Sequence, residues 1–254
     1  MRALCGSALS KLLPRVASAR RTALLAAWAN LSACSPSADE PPAEPPNGCE
    51  PAPGATNPTS IAAVVDTLNA LPKPVTLPCF IQHLSGPLAI DATKGDLSLQ
   101  PAVGRRSPRI FIQLDPLIAT IVPQGVGQDL LELGERRGET RSLKAEVLFP
   151  VTTQLEHASP YEHVLFNKET KDVTSCAFCH GAETLAPDIT FTRAYESDAF
   201  RPLNGNRVSV DELAAELQAC DAKLEPYRCA VLDALFDRES VTFRQLPAAF
   251  ATFQ

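Results

Sequence analysis

Methionine occurs once in this chain of 254 residues, at Met1, and tryptophan once, at Trp28. Beyond residue 33 there is no thioether side chain, which excludes a metal or redox site built on methionine sulfur. Histidine is scarce, so any imidazole chemistry must draw on His83, His157, His163 or His180. There is no Gly-rich phosphate loop, no H-E-x-x-H and no G-x-S-x-G, which removes the common phosphate cradles, zinc-protease helices and nucleophile elbows. Acidic residues are missing from residues 1–33, which hold Arg2, Lys11, Arg15, Arg20 and Arg21. Without that segment the chain keeps 18 of its 23 basic residues against all 29 acidic ones, a formal charge of −11. Such a balance argues against nucleic-acid binding, which wants a basic footprint.

Long hydrophobic runs are also lacking. The longest near the N-terminus, Thr22-Ala-Leu-Leu-Ala-Ala-Trp-Ala-Asn-Leu31, is too short to span a bilayer and has the length of a signal-peptide core. It ends in Leu31-Ser32-Ala33-Cys34, which resembles the lipobox of bacterial lipoproteins. That resemblance implies removal of residues 1–33, lipidation of Cys34 and a lipid anchor to the membrane. Ser35 follows the cysteine where an aspartate would favour inner-membrane retention, so the family rule implies an outer-membrane lipoprotein of the bacterial cell envelope, facing the periplasm.

What the chain does have is Cys176-Ala177-Phe178-Cys179-His180. A C-x-x-C-H is the spacing at which c-type haem is attached. Two thiols three residues apart reach the two vinyl groups of one porphyrin, and the following imidazole lies under the iron. From this composition chance supplies roughly 0.004 such pentads. The segment from Val164-Leu165-Phe166 to Glu183 resembles the attachment region of mono-haem c-type cytochromes, over about 20 residues. The resemblance implies haem c bound through Cys176 and Cys179, with His180 as the proximal ligand. It also implies electron transfer or redox sensing with a redox partner protein, rather than catalysis. The departure is the missing methionine, so the ligation is not His/Met. His163, just ahead of the motif, is the preferred distal ligand, with His157 the alternative and His83 less favoured. The motif occurs once, which excludes a multi-haem wire and a di-haem peroxidase arrangement.

With Cys34 assigned to lipid and the motif to haem, Cys49, Cys79, Cys220 and Cys229 remain. An even remainder in an oxidising compartment reads as two disulfides. Of three pairings, local closure favours Cys49–Cys79 and Cys220–Cys229, the second more strongly. A competing reading makes the chain a non-haem envelope binding or structural lipoprotein. There Cys176 and Cys179 form a disulfide, or join His180 and His157 or His163 around zinc.

The expected organisation is a signal peptide at 1–33, a Pro-rich tether at 34–60, a β-rich domain at 61–166 and a helical haem-attachment region at 167–254. The fold class is α+β: a small antiparallel β-rich region followed by a helical C-terminal c-type haem-binding region. Residues 61–70 read as a short helix ended by Pro72 and Pro74. Strands are expected from about 75 to 152, at Leu97 with Leu99, at 110–112, at 117–122 and at 143–149. Gly125, Gly127, Gly134 and Gly138 are read as turns. Ser209 and Glu212 form a capping box that starts one helix, and Glu225-Pro226 opens another. Phe243, Leu246, Phe250 and Phe253 make an aromatic stripe at helical spacing.

Overall fold

The computed structural model describes residues 48–51, 54–237 and 240–252. The expected signal peptide, the lipidation site Cys34, most of the Pro-rich tether and Phe253 lie outside the described residues.

Ser60 starts α1 (Ile61–Ala70) by accepting a hydrogen bond from the Ala63 amide at 3.1 Å. This satisfies one of the amides that a helix start leaves without a partner. Its Ile61, Val64, Val65 and Leu68 are buried. Strands were expected from about residue 75, but α2 (Leu77–His83) comes first. Thr76 caps it, accepting from the Cys79 amide, and Pro78 sits in its first turn. Proline is tolerated there because the missing N–H has no helical acceptor. Cys79 is bonded to Cys49, pinning the N-terminal segment to this helix, and Cys220 is bonded to Cys229. Both pairings are those that local closure favours.

Five strands then run as an antiparallel meander: β1 (Ala89–Thr93), β2 (Arg109–Leu114), β3 (Leu117–Ile121), β4 (Leu130–Arg137) and β5 (Arg141–Leu148). Gly125, Gly127 and Gly138 take positive φ in the connections. Gly134 does not mark a turn: it lies within β4, paired with Lys144, and a Cβ there would stand 3.5 Å from Ser142 Oγ. Leu97 and Leu99 belong to a bent loop and are exposed.

A five-residue helix, α3 (Ser159–His163), precedes the C-x-x-C-H segment. After it come β6 (Thr184–Leu185), β7 (Tyr195–Asp198), β8 (Phe200–Arg201), α4 (Val210–Gln218), α5 (Pro226–Phe236), β9 (Thr242–Phe243) and β10 (Ala251–Thr252). The capping box of Ser209 and Glu212 is present, and the disulfide staples α4 to α5. The sheet does not stop before the motif, however. Its order is β6-β7-β5-β4-β3-β2-β1-β9, with β9 parallel to β1. The architecture is therefore a mixed α/β fold in which strands from both halves of the chain share one sheet. The order of a β region followed by a helical one does not describe it. The aromatic stripe is not helical either: Phe243 lies in β9, and Phe250 in the turn before β10. Hydrogen bonds with β1 and β8 outcompete the helical spacing of that short tail.

Alternation along the strands gives the sheet two faces. One carries Ile110, Ile112, Leu117, Ala119, Leu131, Leu133, Leu143, Ala145 and Val147, packed with α1, α2 and α5 in one apolar core. The other carries Arg109, Phe111, Ile118, Thr120, Glu132, Gly134, Ser142, Lys144 and Glu146. Part of it is covered by a small apolar cluster of Ile118, Ala199, Leu246 and Phe250.

Candidate functional site

The C-x-x-C-H segment sits over this second face. Residues Ser175–Phe178 form a single 3-10 turn. It is continued by amide bonds from Cys179 (3.1 Å) and His180 (2.8 Å) to the Cys176 carbonyl. In such a turn residues three apart lie on the same side, so the two thiols face one way. The turn is anchored at its start. The Ser175 amide donates to the Val164 carbonyl at 2.9 Å, and Leu165 bridges to Thr174. Glu183 closes the loop by accepting from the Thr174 amide at 2.9 Å and from the Thr174 hydroxyl.

Cys176 and Cys179 are both free thiols, whereas Cys49, Cys79, Cys220 and Cys229 are joined in pairs. The disulfide alternative for the motif is thus not what the structure contains. Zinc fares no better: among the described residues no group of three or more His, Cys, Asp or Glu side chains is placed to hold a metal ion. Burial pushes the Cys176 thiol up to about 12, against the pull of the Lys144 ammonium.

His180 turns inward. Its Nδ1 donates to the Asp198 carbonyl at 2.6 Å, and its ring lies 5.0 Å from that of Phe200, centroid to centroid. Burial, reinforced by the Lys144 charge, lowers its pKa to about 3, so the ring is neutral. Lys144 Nζ is 3.4 Å from the same Nδ1, an approach of two donors rather than a hydrogen bond; its bonds are to Ser142 Oγ at 2.8 Å and to the Asp198 carbonyl at 3.3 Å. A neutral ring that uses Nδ1 as donor keeps its lone pair on Nε2, the tautomer that second-shell carbonyls fix in metal-binding histidines.

Cys176, Cys179 and His180 line one cleft together with Phe111, Phe200 and Leu203. Leu97 and Leu99 stand exposed at its edge, at 64% and 55%. Two thiols on one side, an imidazole with a committed tautomer and apolar walls are the donors that a covalently attached haem uses. The residues present fit that group.

The other histidines are elsewhere. His163 Nδ1 faces Glu146 Oε2 at 3.2 Å, His157 Nε2 faces Asp66 Oδ1 at 2.9 Å, and His83 ends α2 with its Nδ1 buried. None of them lines the cleft.

Sequence reasoning missed the charged floor. Arg109 is hydrogen-bonded to Glu132 and, at 2.7 Å, to Ser98. Lys144 is only 7% exposed, and its pKa is lowered to about 8, mainly by burial. Burial raises that of Glu132. The alternation at 143–149 locates Lys144 and Glu146 on the polar side of a strand, but polar alternation ordinarily signals solvent. Nothing local says that the motif loop covers them.

No protein-family model, curated protein or solved structure matches the chain.

Proposed function

We propose that this protein is an envelope lipoprotein carrying one c-type haem and serving in electron transfer or redox sensing. Cys176 and Cys179 provide the thioether bonds, His180 the proximal ligand and Cys34 the lipid anchor. The observation that carries the reading is the convergence of both free thiols and the His180 ring on one cleft, beside the aromatic rings of Phe111 and Phe200. When bound, the haem supplies a one-electron ferric–ferrous couple.

The chain's own residues do the rest. The Asp198 carbonyl orients His180 and fixes its tautomer. Phe200 packs its ring beside the imidazole, and Phe111 lines the same cleft. Lys144, held against Ser142, places a positive charge behind the imidazole, where it opposes a gain of positive charge at the site. The chain's lack of methionine beyond Met1 removes the ligand that raises potentials in many small cytochromes.

Expression in a host with haem-maturation machinery is expected to give a coloured protein. Its intact mass should carry one porphyrin, and its pyridine haemochrome should be of c type. Cys179→Ala is expected to lose the two-bond attachment. A colourless product of unmodified mass would remove this reading. Lipidation is checked separately by palmitate labelling, which Cys34→Ala should abolish.

A further inference from the structure

Cleft lining distinguishes the two sides of His180. Nδ1 points to the Asp198 carbonyl and to Lys144, so those groups lie behind the ring, away from any metal held by Nε2. Lys144 lines a smaller adjoining cavity rather than the main cleft. A second protein ligand would have to come from the rest of the main cleft's lining: Thr93, residues 95–99 and 200–203, Asn206, Ser175 and the floor at Arg109, Phe111, Glu132 and Glu146. Those walls hold no histidine, lysine, tyrosine or methionine, and the only cysteines in the cleft are the two of the motif. His163 is engaged with Glu146, and His157 with Asp66 on α1.

We infer that the cleft supplies its haem with a single protein ligand, His180, and leaves the opposite coordination position to a small neutral diatomic ligand of the π-acceptor class. This deepens the reading above and rests on it. The device would be a ligand-responsive site rather than a bis-histidine electron carrier, which replaces His163 and His157 as distal ligands.

Charge in the cleft selects a neutral ligand over an anion. Asp96, Glu132 and Glu146 line it against Arg109 and Arg201. Arg109 is matched by Glu132, which leaves Asp96 and Glu146 against Arg201 alone. An arriving anion would therefore meet a lining with more carboxylates than guanidinium groups, and burial against that balance is costly. A neutral diatomic carries no such cost, and Leu97, Leu99 and Leu203 give it an apolar approach.

Carbon monoxide is the probe. The full chain, matured with haem and reduced with dithionite, is expected to show the broad visible band of five-coordinate, high-spin ferrous haem. Carbon monoxide should convert it stoichiometrically to a low-spin spectrum. His163→Ala and His157→Ala should leave both spectra and the carbon monoxide titration unchanged. Azide, an anion, should not alter the ferric spectrum. Sharp low-spin ferrous bands that ignore carbon monoxide would overturn the inference while leaving haem attachment intact. So would a high-spin form that appears only in His163→Ala or His157→Ala. Azide saturating the ferric form would overturn the choice of a neutral ligand. A colourless protein would remove haem attachment itself and this inference with it.

Discussion

The two faces of the meander are made from alternate residues of the same strands, yet they are finished differently. Beneath α1, α2 and α5, the fully buried side chains of β2, β4 and β5 are aliphatic, with Glu135 at the edge accepting from the Ile61 amide, and Phe80 meets Phe149 at 6.2 Å between ring centroids. Under the motif, the next residues along are Arg109, Glu132, Lys144 and Glu146, covered by a loop of short strands and one 3-10 turn. Both disulfides involve the helices of the first face; the two free thiols belong to the second. One face is thus built for cohesion, and the other holds groups whose burial costs stability. Proteins tolerate such groups where a site needs them.

The sharpest way to test that contrast is to damage the cohesive face. Phe80 is fully buried, and Phe80→Ala is expected to cost about 3–5 kcal/mol in urea unfolding. A loss below about 1 kcal/mol would mean that the apolar layer is not where stability resides.

The opposite sign is expected on the second face. Lys144→Met replaces a buried ammonium with an apolar chain of similar length, and it should stabilise the protein by about 1–3 kcal/mol near neutral pH. Destabilisation of that size would show that Lys144 contributes net cohesion through Ser142 and Asp198.

A smaller effect separates the faces by pH. Tyr161, in the apolar core, has its hydroxyl pushed up to about 12, first by burial and then by the Glu135 carboxylate. The unfolded chain ionises this group near 10, so stability is intact below that pH and falls as pH rises toward about 12. Tyr161→Phe should flatten the fall by about 1–2 kcal/mol, read from urea midpoints across that range.

The smallest change in stability is expected where the functional loss is complete. Cys179 is in no disulfide and is only partly buried. Cys179→Ala should shift unfolding of the haem-free chain by no more than about 0.5 kcal/mol. A large shift would place the motif in the structural framework and blur the difference between the faces.

Local signals were legible where the physics is local. The helix at 61–70 follows from apolar spacing with proline after it, and α4 from a capping box that satisfies its own first turn. β3 and β5 follow from density and alternation of apolar residues. The Thr76–Pro78 start of α2 was also there to be read, but the apolar run behind it is too short to distinguish a helix from a strand. The tail from Phe243 misled for a different reason. Its spacing suits a helix, but β1 and β8 offer it hydrogen-bonding edges that are remote in sequence.

From the sequence alone come the C-x-x-C-H spacing, both disulfide pairings and three of the meander's strands, β2, β3 and β5, because each depends on neighbours within a few residues or on counting. Tertiary structure alone decides that β6, β7 and β9 join the same sheet, that Lys144 is buried rather than solvated, and that no other histidine lines the cleft with His180. Those outcomes depend on which distant segments cover which face. That choice is set by the summed burial and hydrogen bonding of the whole chain, which no local pattern encodes.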